Sequence, residues 1–155
     1  MTYRSKTLAA WLALLLGALG AHRFYLYGWR DRLAWVYVPP TLLGIWGVLR
    51  MRGLGQDDHL AWLLIPLLGL ALSAAMLAAI VLALTADEKW ATRHNPGHDV
   101  VPSGWGAVLA AMVALALGGA VLMGTIAFGL QKLFEWQLEP PALPAEVQKS
   151  SRLNP

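Results

Sequence analysis

Apolar residues in this chain come in long unbroken blocks, without the alternation of a half-buried strand. Crossing the roughly 30 Å of bilayer hydrocarbon takes about 20 predominantly apolar residues in a helix. Four blocks approach that length: about Leu8 to Ala21, Leu33 to Leu49, Leu60 to Ala86, and Trp105 to Leu130, the last able to continue to Trp136. Lipid cannot satisfy open backbone groups, and nothing alternates as barrel strands do, so all four are expected to be helices. The pattern therefore predicts an all-α integral membrane protein with four transmembrane helices, arranged as two consecutive helical hairpins. The first block is short, but its helix can start earlier, with Arg4 and Lys6 snorkelling. The second is interrupted by Pro39-Pro40, which remove two backbone donors and should kink it.

Three regions follow: a two-helix membrane domain over 1–52, a second hairpin over 53–135 with a polar loop at 87–104, and a polar tail over 136–155 expected to be disordered near Ser150. Arg4 and Lys6 ahead of an apolar run imitate a secretory signal, and Ala18-Leu19-Gly20 imitates its cleavage site. An aromatic cluster and further spans come next, so a retained helix is expected.

Composition sharpens the class. Only 14% of residues are charged, against about 25% in soluble domains. There is no cysteine, so disulfides and thiolate metal sites are excluded. The formal net charge is +3, but the basic residues flank apolar blocks. Anionic lipid headgroups are therefore the expected partners of that charge, and nucleic acid is not. The N-terminus, the second connection and the C-terminal end carry Arg4, Lys6, Arg50, Arg52, Lys132, Lys149 and Arg152. The other two connections carry fewer: Arg23, Arg30, Arg32, Lys89 and Arg93. By the positive-inside rule both termini are expected in the cytoplasm.

The first connection, Gly20 to Arg32, is the most distinctive stretch. Its aromatics Phe24, Tyr25, Tyr27 and Trp29 suit a membrane–water interface, and Arg23, Arg30 and Arg32 can reach phosphate. Two readings stay open: a belt that anchors a hairpin, or a recognition surface formed by His22, Arg23, Phe24, Tyr25, Tyr27 and Trp29. Gly17 and Gly20 permit close backbone approach where the first helix ends. Further along, Ala71, Ala75, Ala79 and Ala83 recur every fourth residue, as do Gly106, Ala110, Ala114 and Gly118. Residues so spaced share a helix face, and small ones let helices approach closely, so the two stripes are expected to pack together.

Chemistry-bearing motifs are sparse. His94-Asn95-Pro96-Gly97-His98 has two histidines four apart, but Pro96-Gly97 opposes the helix that would align them as ligands. A solvated turn is expected there, with no metal and no cofactor. Asp87-Glu88-Lys89 reads as a boundary charge cluster. No Asp, Glu, Lys or Arg lies inside the third and fourth spans, which weakens a transport reading. Ser73 and Ser103 lack a base, and His22 as a general base lacks an orienting carboxylate and a nucleophile, so an enzyme is not expected.

The run Gly17-x-x-Gly20-Ala21-His22-Arg23-Phe24-Tyr25-Leu26, preceded by Lys6, Ala9-Ala10 and Leu14 to Leu16, resembles the TM-2 (two-transmembrane-helix) domain family. In that family a turn with Asp-Arg-Phe or His-Arg-Phe joins two helices, and Gly44-Ile45-Trp46 is similar to its second-helix pattern. The resemblance covers about residues 6–52. It departs at Tyr27, which precedes Gly28, and at Arg50, where the family tends to carry an Asp placed to pair with the turn arginine. Asp57 and Asp58 stand at the wrong spacing to replace it. The resemblance implies a membrane protein without an assigned biochemical activity. An interaction or scaffold module of the bacterial inner membrane is the expectation, binding lipids and a membrane protein partner or a second copy. An oligomeric small channel or transporter component is the alternative.

Overall fold

The computed structural model describes residues 3–138; of the polar tail expected over 136–155, residues 136–138 continue the last described helix and 139–155 lie outside the described residues. Helix α1 covers Lys6–Leu16, capped by the Ser5 hydroxyl, and tightens into a 3-10 turn at Gly17–Leu19. Then come α2 (Ala21–Tyr27), α3 (Arg32–Val36), α4 (Val38–Leu54), α5 (His59–Leu84), α6 (Asp87–His94) and α7 (Trp105–Leu138). Among the described residues, three helical stretches are long and apolar enough to cross a membrane: Arg32–Leu54, His59–Leu84 and Trp105–Leu138. The apolar helix at Lys6–Leu19 is shorter.

Two expectations about connections change. The first connection was expected as a turn, yet Ala21–Tyr27 is helical, because one glycine suffices for the reversal before it. Gly20 sits at φ 76°, a left-handed conformation that glycine adopts without a Cβ penalty. The loop at 87–104 likewise contains a helix, α6, with Asp87 and Glu88 in its first turn and Arg93 and His94 in its last. Asp87 and Glu88 at the start and Arg93 at the end each sit at the end of the helix dipole that favours their charge. The interruption expected at Pro39-Pro40 falls just before them, at Tyr37, and the prolines occupy the first turn of α4. That position tolerates proline because its N–H would be unpaired anyway.

Helix α5 is the spine. It has 26 residues, about 39 Å at 1.5 Å per residue. Helices α1 and α4 both run antiparallel to it, and they lie one after the other along its length. Ala10 clusters with Ala83, Ala107, Ala110 and Ala111, and Ala13 clusters with Ala79, Met76 and Ala114. Gly17 meets Ala75. Beyond that point α4 takes over, with Gly44 against Leu68 and Gly47 against Leu64. The Thr41 hydroxyl donates 2.6 Å to the Ala18 carbonyl and ties the two segments together. The expected tight hairpin of the first two apolar helices is thus corrected. Helix α1 reaches only halfway along α5 because it is short, and α2 then turns back beside it. Tyr25 of α2 accepts a 3.0 Å hydrogen bond from the Ser5 N–H, and Leu26 packs on Ala9 and Trp90.

Helix α7 runs antiparallel to α5 over its whole length, from the Gly118–Met76 contact to Lys132 over the Trp62 ring. Lys6 and Leu138 therefore lie at opposite ends of the bundle. An even number of crossings would have brought them to one end.

A polar cap closes the Lys6 end. Lys6, 8% exposed, donates to the Thr85 carbonyl at 2.7 Å and pairs with Asp87 at 2.6 Å. Asp87 also accepts from the Ser103 N–H and hydroxyl. Asn95, expected in a solvated turn, is buried: its amide clamps the Arg4 N–H and carbonyl, and Trp90 donates to the same carbonyl. These bonds satisfy backbone groups of the N-terminal segment and of the α5 C-terminus that lack helical partners.

Two outcomes follow. A Cβ on Gly44 would fall 2.6 Å from the Leu68 backbone nitrogen and 2.8 Å from its Cα. Gly44→Ala should cost about 1–3 kcal/mol and lower Tm in detergent by several degrees. Gly129→Ala, where a Cβ meets nothing within 4 Å, should leave Tm unchanged. Hydrogen bonds from Lys6, then from Ser103, hold the Asp87 carboxyl at about 2, below its ordinary 3.8. A depressed carboxylate pKa stabilises the fold above the unfolded value and ceases to do so as pH falls through the folded one. Tm should therefore be flat above about pH 5 and fall between about 4 and 2. Asp87→Asn should lower the plateau and reduce that acid slope, measured by thermal unfolding in detergent across pH.

Candidate functional site

The His22-to-Trp29 stretch divides into an inward and an outward face. Helix α2 directs His22 and Leu26 into the protein, at 3% and 2% exposure. The His22 ring meets the Tyr37 ring edge-on at 5.7 Å, and its Nδ1 finds no hydrogen-bond partner among the described residues. Burial first, then the neighbouring Arg23 charge, push the His22 pKa from 6.5 down to about 4, so the imidazole is neutral at physiological pH. Tyr25 also points inward, to Ser5. These two predicted site residues are pieces of the packing.

The outward face is built by α2 and α3 together. Asp31 caps α3 by accepting from the Leu33 N–H at 3.1 Å and pairs with Arg23 Nε at 2.7 Å. That ion pair joins the two short helices across the Gly28 bend. The guanidinium also lies 5.2 Å over the Tyr27 ring. The Arg23 hydrogen bond is the main cause holding the Asp31 carboxyl below its ordinary value. The turn arginine Arg23 meets no acid at position 50, where Arg50 stands. In this chain its partner is Asp31, eight residues on, while Arg50 takes Asp58 at 2.8 Å.

Held this way, three rings gather outside. Phe24 stands 5.0 Å from Trp29 and 5.4 Å from Trp35, and the Trp35 indole N–H donates to the Trp29 carbonyl at 3.1 Å. Trp29 is 75% exposed and Trp35 51%. Arg30 and Arg32 flank them, exposed, their side chains without a partner among the described residues. The site is therefore an aromatic ridge edged by two guanidiniums without partners among the described residues. It contains Arg23, Phe24, Tyr27 and Trp29 of the predicted set, and adds Asp31 and Trp35. The signal for Asp31 was its position as an N-cap ahead of an apolar run. Nothing local marked Trp35, which sits in what reads as the second span.

The predicted packing residues lie in three places. Gly17 abuts Ala75, and Gly20 sits under the Ala34 carbonyl. Ala79, Ala83, Ala110 and Ala114 share clusters with Ala10 and Ala13 of α1, so a third helix joins both stripes. Gly118 faces Met76 and Gly106 faces Thr7, while Ala71 lines a groove beside Arg23. The α1 positions were missed as a set, although Ala10, Ala13 and Gly17 share one face at spacings of three and four. No group of three or more His, Asp or Glu side chains that could hold a metal ion occurs among the described residues.

No curated protein and no solved structure matches the chain. A family model does match, described as the TM2 domain, over residues 2–51. Its span contains the Gly20 reversal, the His22-Arg23-Phe24 turn and the Gly44-Ile45-Trp46 segment, so the N-terminal portion of this membrane protein is a TM2 domain.

Proposed function

We propose that this protein is a non-catalytic, multi-pass interaction module of a bacterial cytoplasmic membrane, and that it docks a membrane protein partner on the Phe24–Trp29–Trp35 ridge. The observation that carries this reading is the ridge itself. Large apolar side chains in a membrane protein are ordinarily indifferent to exposure, but these are locked in one arrangement. The Arg23–Asp31 pair, the Trp35–Trp29 hydrogen bond and the ring contacts fix them at the edge of a basic patch. Rigid aromatic anchors beside arginine are the composition of interface hot spots, because little side-chain entropy is lost on binding.

In this reading the chain crosses the membrane three times, through α3–α4, α5 and α7, and α1–α2 enters and leaves from one side. Its length supports this: 14 residues at Lys6–Leu19 span about 21 Å, short of the roughly 30 Å needed. The termini of the described chain then face opposite sides.

The test is in-cell photocrosslinking from position 29 or 35, read by mass spectrometry. A recurring protein adduct is expected, and Phe24→Ala or Trp35→Ala should weaken it while leaving Tm within a few degrees. Adducts to lipid alone would make the ridge an anchor. Adducts to the chain itself would make it an oligomer contact and direct attention to flux assays.

A further inference from the structure

Behind the ridge, between α3–α4 and α5, runs a groove of about 430 Å³. Its walls are Leu33, Val36, Tyr37, Leu67 and Leu70, and its one charged lining residue is Arg23. It lies beside the junction of α3 and α4 at Tyr37, ahead of the prolines in the first turn of α4. Leu33, Val36 and Leu70 are exposed along it, so it opens sideways, toward lipid. Arg23 lines it with its Nε hydrogen-bonded to Asp31 and its guanidinium over the Tyr27 ring. Its two terminal nitrogens have no partner among the described residues, which leaves the paired edge that guanidinium offers to phosphate oxygens. Arg30 and Arg32 stand close by in sequence and equally unpartnered, so the segment carries three arginines against one aspartate.

We propose that this groove is a binding site for an acidic glycerophospholipid, with one acyl chain along Leu33, Val36 and Leu70 and the phosphate on the free edge of Arg23. Charge complementarity selects the occupant. An apolar chain alone would leave Arg23 with unmet donors at the rim of an apolar slot, and a soluble anion alone would leave the slot unfilled. An acidic headgroup also suits the net positive charge of the segment from Arg23 to Arg32, which a zwitterionic one does not. The groove shares Arg23 with the ridge but its apolar walls, Leu33, Val36, Leu67 and Leu70, are not ridge residues, and the lipid site stands whether or not a protein docks on the Phe24–Trp29–Trp35 rings.

Native mass spectrometry of the full chain in detergent tests it, with an equimolar mixture of phosphatidylglycerol and phosphatidylcholine of identical acyl chains. Preferential retention of one phosphatidylglycerol is expected. Arg23→Gln should reduce that retention about tenfold, the size of one lost charge-assisted hydrogen bond, and Arg23→Lys should reduce it less. Leu70→Trp, which fills the groove and leaves the Arg23–Asp31 pair intact, should reduce it comparably. It decides the matter if Arg23→Gln proves unfolded by circular dichroism. Glycerol phosphate, the headgroup without chains, should not compete at millimolar concentration. Equal retention of the two lipids, undiminished binding in Leu70→Trp, or competition by glycerol phosphate would each overturn the site. So would a stoichiometric protein that neither lipid displaces and that Leu70→Trp releases, which would assign the groove to a partner helix.

Discussion

At Gly20 the backbone turns with φ 76° directly beneath the Ala34 carbonyl, and a Cβ there would lie 2.5 Å from that oxygen. A left-handed conformation and an occupied space coincide, so no other residue fits. From this one point α1 ends, α2 runs back, and α3 is brought close enough for Asp31 to reach Arg23. The ridge, the groove and the handover from α1 to α4 along α5 all depend on the chain reversing there within a single residue.

The contacts that hold this arrangement are small. Ala9, Ala10, Ala13, Ala79, Ala110 and Ala114 are fully buried, and most large apolar side chains face outward. That is the reverse of a soluble core. In hydrocarbon a leucine gains little by leaving lipid, so helices associate through close van der Waals contact of small residues and through hydrogen bonds. Polar bonding is accordingly kept to the joints: Thr41 to Ala18 at the handover, Lys6 and Asn95 at one end, Arg50 and Asp58 at the other.

Much of this was legible in the chain. Block length and charge placement are enough to give helices and a membrane, because lipid admits so few alternatives. The small-residue stripes on α5 and α7 follow from spacing alone. What spacing could not convey was the third participant, α1, since contacts such as Ala10 with Ala83 join residues far apart in sequence. Nor could it show the path of the first apolar block. Leu8 to Ala21 has the hydropathy of a span, and only the geometry at Gly20 and the helical conformation of Ala21–Tyr27 turn it into a short arm that doubles back. That Asp31 offsets arginine charge is readable from its neighbours, but which arginine it takes is not: only the α2–α3 bend brings it within 2.7 Å of Arg23.

The end-to-end placement of α1 and α4 bears on how the protein is made. Pairing between α1 and α4 is not what steadies the TM2 portion. The surface that receives Ala10, Ala13 and Gly17 belongs to Ala75, Met76, Ala79, Ala83, Ala110 and Ala114. During synthesis the first apolar arm thus emerges well before its docking face, and its seat is complete only when α7 has been inserted. The seat of this domain is thus finished by α7. An additional hairpin that looks like an appendage is, in assembly terms, the template on which the domain is finished.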